Sequence, residues 1–298
     1  MNAIETKNLT LFYGRFIGVK DISLEVREGE KFGFIGPNGA GKTSTIRLLL
    51  NHLFPYSGSG SIFGYDIIKQ SVDIKKIVGY LPAESNFYSR MTVGDFLAYN
   101  SGFYKSDLNK RVADLAERFD LNMKKKIEEL STGNKKKVAI IQAFAHRPKL
   151  LILDEPTSGL DPLMQSILFE LLDEESARGT TIFFSSHVLS DVQKTCDRVA
   201  IIRKGIIIKL ESIDELRKNM FKRVSIAFKD HKQLRQFEID NILNPEVKHG
   251  KLIFNYTAGI NSLLKNLCGF DIDNLSIEDA SLDEIFMRYY NDREHNDD

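Results

Sequence analysis

The sequence has no tryptophan, two cysteines and seven prolines in 298 residues. Cys196 and Cys268 form neither a disulfide framework nor a metal-ligand spacing, which suits a reducing cytosol. Net charge is missing too, since 41 Lys plus Arg face 41 Asp plus Glu. A balanced chain exerts no global pull on nucleic acid, so none is expected as a partner unless a local patch supplies the attraction. No apolar run approaches the roughly 20 residues needed to span a bilayer. The N-terminal stretch MNAIETKNL has no apolar signal core. These absences predict a soluble, cytoplasmic chain that reaches a membrane only through a partner. What is present is an apolar fraction of 42%, enough for a packed core. The length suits about two domains.

Along the chain, VKDISLEV alternates apolar Ile22, Leu24 and Val26 with polar residues, as a half-buried strand does. The REGE turn follows, then KFGFIG, a Gly-rich loop and the helically spaced TSTIRLLLNHL. From about 87 to 147 the pattern is mostly helical, with Thr92 and Asp95 spaced like a weak capping box. KLLILDE and TTIFFSS are continuous apolar runs, as expected of parallel strands covered on both faces. RVAIIRKGIIIKL predicts a hairpin turning at Lys204–Gly205. The character changes near Leu210. SIDELRKNM predicts a short helix, RVSIAFK and KLIFNY strands, SLDEIFMRYY a closing helix, and NDREHNDD a polar tail. The expected boundaries are 1–211 for a main α/β domain and 212–298 for a small α+β domain.

Gly36 to Thr43, GPNGAGKT, fits G-x-x-x-x-G-K-[ST] between an apolar strand and a helix. In that context the backbone N–H groups of Gly36, Pro37, Asn38, Gly39, Ala40 and Gly41 (proline excepted) turn around phosphate oxygens, and the helix N-terminus adds its positive end. Lys42 reaches the β- and γ-phosphates, the Thr43 hydroxyl suits Mg²⁺, and Ser44 opens the helix beside them. LLILDEP ends a buried strand on two carboxylates. Asp154 suits Mg²⁺, and Glu155 can orient or deprotonate an attacking water. His187 ends the next strand on the side where a parallel sheet gathers its ligands. A lone histidine is more often structural, but beside these groups it is a catalytic candidate. Tyr13 is either a core or turn tyrosine or an aromatic that stacks on a base.

The ordered set Tyr13, GPNGAGKT, GYLPAES, LSTGN, LLILDEP, SGLD and SSH resembles the ATP-binding subunit of ABC transporters over about Ile4 to Leu210. GYLPAESNFYSRMTV and LSTGNKKKVAIIQAF look most like subunits of bacterial exporters for antibiotic peptides, drugs, lipids or polysaccharides. The C-terminal part resembles the tail domain common in that group. The resemblance implies a P-loop ABC ATPase fold, with a mixed sheet core, an antiparallel β part and a helical subdomain. It implies ATP and Mg²⁺ as cofactors and a transmembrane permease as partner. It also implies a second nucleotide-binding subunit in a head-to-tail homodimer, and a place on the inner face of the cell membrane. By the same resemblance Tyr13 stacks on adenine, Glu155 is the catalytic base, His187 the switch histidine, and Asp161 belongs to a loop signalling across the dimer. Ser131 and Gly133 belong to a signature that meets the γ-phosphate bound by the other subunit.

Two departures stand out. The family's L-S-G-G-Q is L-S-T-G-N here, with the Ser131 hydroxyl and the Gly133 backbone kept. The family's glutamine after YLP, which contacts Mg²⁺ and the attacking water, is Ala83, with Glu84 beside it. Lys135 to Lys137 are expected to form a solvated first helical turn. The expected function is an ATP-hydrolysing motor for export. Two alternatives are a soluble ABC-type ATPase of translation or DNA repair, which commonly needs two motif sets or long heptads, and a small-molecule kinase, which leaves LSTGN and SSH unexplained.

Overall fold

The computed structural model describes residues 1–104, 107–219, 221–229, 237 and 239–279. The chain divides into two compact units, Met1–Ser212 and Ile213–Asp298. In the first unit, β1 (Asn2–Tyr13), β2 (Phe16–Arg27), β4 (Ser57–Ile62) and β5 (Tyr65–Asp66) form an antiparallel sheet ordered β2-β1-β4-β5. The second sheet holds β3 (Lys31–Ile35), β6 (Val78–Leu81), β7 (Leu150–Asp154), β8 (Thr181–Ser186), β9 (Arg198–Arg203) and β10 (Ile206–Ser212). Its order is β10-β9-β3-β8-β7-β6, parallel throughout except for the β9–β10 pair. Every residue of β7 and β8 is buried, the physical reason their apolar runs show no alternation. The Lys204–Gly205 hairpin has both central residues at positive φ, 50° and 79°, the geometry that matches strand twist.

Helix α1 (Lys42–Leu49) lies between the two sheets. Ile46, Leu48 and Leu49 join Ile4, Val19 and Ile22 of one sheet and Phe34, Ile152 and Phe183 of the other in one core. The short α2 (Ser71–Ile77) leads into β6. The segment between β6 and β7 carries α3 (Val93–Ser101), α4 (Asn109–Arg118) and α5 (Thr132–Phe144). At the start of α3 the Thr92 hydroxyl accepts from the Asp95 backbone N–H. Its own proton goes to the Asp95 carboxylate at 2.6 Å, so the reciprocal half of a capping box is replaced by a side-chain pair. Helices α6 (Pro162–Ala177) and α7 (Leu189–Thr195) complete the unit.

The second unit has α8 (Ile213–Asn219) and an antiparallel sheet of β11 (Lys222–Phe228), β12 (Ile242–Lys248), β13 (Lys251–Tyr256) and β14 (Ile272–Asp279), ordered β12-β13-β11-β14. Helix α9 (Ile260–Leu267) adds Leu263 and Leu267 to a core with Val224, Ile226, Phe254 and Tyr256. The expected helix over SLDEIFMRYY and the polar tail lie outside the described residues. No helix among the described residues is long and apolar enough to cross a membrane.

Candidate functional site

The site lies at the C-terminal ends of three adjacent parallel strands, β3, β8 and β7. The backbone stitches them together past the last sheet pairs: the Gly36 N–H donates to the Ser186 carbonyl at 3.2 Å, and the Glu155 N–H to the Ser185 carbonyl at 3.1 Å. Between β3 and α1 the chain coils back on itself, with the Ala40 N–H donating to the Pro37 carbonyl. Gly41 has φ 109°, and a Cβ there would meet Val19 and the Gly18 carbonyl, so only glycine lets the loop turn into α1. The buried Lys42 ammonium donates to the Gly36 carbonyl at 2.6 Å and to the Pro37 carbonyl at 3.2 Å. It is therefore held inside the ring of backbone that the motif predicts. Tyr13, at the end of β1, is half exposed and its hydroxyl lies 3.2 Å from the Ser44 hydroxyl, which sets an aromatic face beside the start of α1.

The acidic half is equally specific. Asp154 is fully buried at the end of β7. Its Oδ2 accepts from the Thr43 hydroxyl at 2.7 Å and its Oδ1 from the Ser185 hydroxyl at 2.6 Å. A hydroxyl and one carboxylate are the hard oxygen donors that Mg²⁺ takes alongside phosphate oxygens and water, so the residues fit that ion. Among the described residues no cluster of three His, Cys, Asp or Glu forms an all-protein cage. Glu155 has φ 49°, a left-handed conformation that a branchless acidic residue adopts at a cost and that the surrounding contacts must impose. Its Oε1 lies 3.1 Å from the Lys42 ammonium, and its Oε2 lies 2.7 Å from His187 Nδ1. The Oε1 contact is a charge pair without hydrogen-bond alignment. Lys42, Thr43, Asp154, Glu155 and His187 are thus brought into one cluster from three strand ends far apart in sequence.

Ser131 and Gly133 sit at the start of α5. Ser131 is the N-cap and its oxygen accepts from the Asn134 N–H at 3.3 Å. Gly133 packs so closely that a Cβ would come 3.0 Å from the Gly159 carbonyl. Among the described residues no hydrogen bond or ion pair links either of them to Lys42, Asp154, Glu155 or His187. Asp161 caps α6, accepting from the Met164 N–H at 3.0 Å, with Pro162 in the first turn. Glu84 is exposed.

The expectation for the lysine tract needs correction. Lys136 is not solvated: it is 6% exposed, and its ammonium donates to the Pro82 and Ala83 carbonyls at 3.3 Å each. Burial pulls its pKa down to about 8, against an opposing pull from Asp154 and Glu155. The physical reason lies in what covers the helix: α5 is buried at Val138 to Ile141, Ala143 and Phe144, and the Pro82–Ala83 backbone meets position 136, while Lys135 and Lys137 stay partly exposed. Helical phase alone does not single out position 136, because position 137 has buried residues at the same offsets. Ser185 is a further site residue that the sequence does not single out, because TIFFSS ends on two serines and the fold decides which of them meets Asp154.

Comparison with known proteins identifies the family of the chain. The family model described as ABC transporter matches residues 19–158. The chain is 32% identical to the bacitracin transport ATP-binding protein BcrA of Bacillus licheniformis, over 96% of both chains. It is 35% identical to the linearmycin resistance ATP-binding protein LnrL of Bacillus subtilis, over 72% of this chain and 70% of that one. Among solved structures, an ATP-binding subunit of an ABC transporter aligns with TM-score 0.69 at 30% identity, covering 72% of this chain and 92% of its own. The 32% identity to BcrA along 96% of both chains is decisive: the protein belongs to the ATP-binding subunits of ABC transporters, the ATP-hydrolysing motors that energise transport through a separate permease.

Proposed function

We propose that this motor powers export, as a homodimer held to the inner face of the cell membrane by its permease, and that Thr43 and Asp154 would hold Mg²⁺. The observation that carries the assignment of the site is the Lys42–Glu155–His187 cluster. Glu155 accepts the proton of the attacking water as its oxygen approaches the γ-phosphorus, and ADP departs. His187, whose Nδ1 touches the same carboxylate, orients Glu155 and faces the transferred phosphoryl group. Lys42 and the loop N–H groups stabilise charge on the phosphates. Mg²⁺, when bound, neutralises the developing charge on the phosphate oxygens. Tyr13 stacks on the adenine. Ser131 and Gly133 complete the site of the other subunit, with the N-terminus of α5 favouring an anion.

Export is supported by relatives named for bacitracin transport and linearmycin resistance. A permease contact is supported by exposed aromatics near the Ala83 loop. Tyr88, Tyr99 and Phe103 stand well out of the surface in successive edge-to-face pairs, with centroids 6.0 and 5.3 Å apart. Exposed aromatic clusters of this kind mark protein interfaces. The test is Glu155→Gln. It should abolish ATP turnover while ATP binding, read by a fluorescent nucleotide, stays intact. Near-normal turnover would remove Glu155 from the role of base. Co-purification of the chain with a polytopic membrane protein from detergent-solubilised native membranes checks the partner.

A further inference from the structure

Lys136 is costly where it stands. Burying an ammonium against two neutral carbonyls recovers only part of its hydration. A neutral amide could hook the same carbonyls without that penalty. What a lysine adds is charge, and the charges that oppose its burial penalty are those of Asp154 and Glu155. The carbonyls it holds, Pro82 and Ala83, belong to the loop in which the family's glutamine has become alanine. The helix that carries it, α5, begins at the Ser131–Gly133 signature.

We propose that Lys136 is a positioning residue for ATP hydrolysis: its ammonium fastens the Pro82–Ala83 backbone to α5, replacing by a different route the link between loop and site that Ala83 cannot make. Because the loop hangs on the ammonium, a displacement of Pro82–Ala83 is passed to the helix that begins at Ser131–Gly133. This inference rests on the roles given above to Asp154 and Glu155.

The test uses the full chain and reads kcat, nucleotide KM, nucleotide affinity in EDTA and thermal midpoint. Lys136→Met keeps the length of the side chain and removes both donor and charge. It should lower kcat about tenfold or more and leave KM within about twofold, the pattern of a lost interaction that acts on the reaction step. Lys136→Arg, which keeps charge and donors, should retain most of kcat. Ala83→Gln should restore part of the lost kcat in the Lys136→Met background while doing little in the native chain. Affinity in EDTA should be unchanged in all of them. Unchanged kcat in Lys136→Met overturns the proposal. So does a loss shared by Lys136→Arg, unrescued by Ala83→Gln and matched by a lower thermal midpoint, which marks a purely structural lysine. Glu155→Gln measured alongside separates the two levels. If it turns over normally, the reading of the acid pair has failed; if it is dead while Lys136→Met is normal, only the role of Lys136 has.

Discussion

At the scale of single residues, Asp154 shows how a buried charge is kept usable. With no exposure, its carboxylate depends on the Thr43 and Ser185 hydroxyls for both oxygens. Ser185→Ala removes the 2.6 Å bond to Oδ1 and leaves that oxygen in an apolar strand environment. The expected cost is about 1.5–3 kcal/mol of stability, the range for a hydrogen bond to a charged group. Loss of the orienting partner should also raise the Mg²⁺ concentration needed for half-maximal turnover by about tenfold or more. Denaturant titration and a Mg²⁺ titration at saturating ATP check the two effects. An unchanged Mg²⁺ requirement would show that Thr43 alone orients the carboxylate. Thr43, Asp154 and Glu155 were legible because each belongs to a short motif whose chemistry needs those atoms. Ser185 and Lys136 were not, because their roles come from where the sheet and α5 fold them. A lysine among lysines carries no local mark of burial, since the partly exposed neighbour Lys137 has the same spacing to buried residues.

At the scale of elements, strands and caps were legible because their signals are local. β7 and β8 appear as apolar runs, and α3 starts at the Thr92–Asp95 pair. What holds α4 to α6 had no such signal. Arg111 donates to Glu175 Oε1 at 2.8 Å, and Arg178 reaches the same oxygen at 3.2 Å, while Glu175 is only 1% exposed. The partners are 64 positions apart, so no window on the sequence contains the pair. Arg111→Met keeps much of the bulk but takes the closer cation from a buried carboxylate. It should cost about 2–4 kcal/mol. Arg118, also on α4, pairs with the more exposed Glu170 and Glu174, and Arg118→Met should change stability by no more than about 0.5–1 kcal/mol. Urea midpoints compare the two. Equal effects would show that α4 is held by the apolar contacts of Val112, Leu115 and Ala116 alone.

At the scale of the whole molecule, one chain presents two unlike halves. Lys42, Thr43, Asp154, Glu155 and His187 converge on one cluster. Ser131 and Gly133 open a helix whose free N–H groups and dipole favour an anion that this cluster is not hydrogen-bonded to deliver. The motifs are legible in sequence, and the family resemblance already implies their division into two half-sites; the folded chain adds the separation of Ser131 and Gly133 from the Lys42–Glu155–His187 cluster. The proposed two-fold pairing, in which each copy's α5 would meet the other's nucleotide, satisfies a helix start suited to an anion and a separate phosphate cradle together. Hydrolysis would release that contact, so a chain that binds ATP without turning it over should remain paired. Glu155→Gln with ATP should double its mass in light scattering, and with ADP it should not. Adding Ser131→Arg puts a bulky side chain on the exposed helix start and should abolish pairing while each chain still binds ATP. If the double variant pairs as well as Glu155→Gln alone, the signature lies outside the ATP-dependent contact. In that case Ser131 is an N-cap and nothing more.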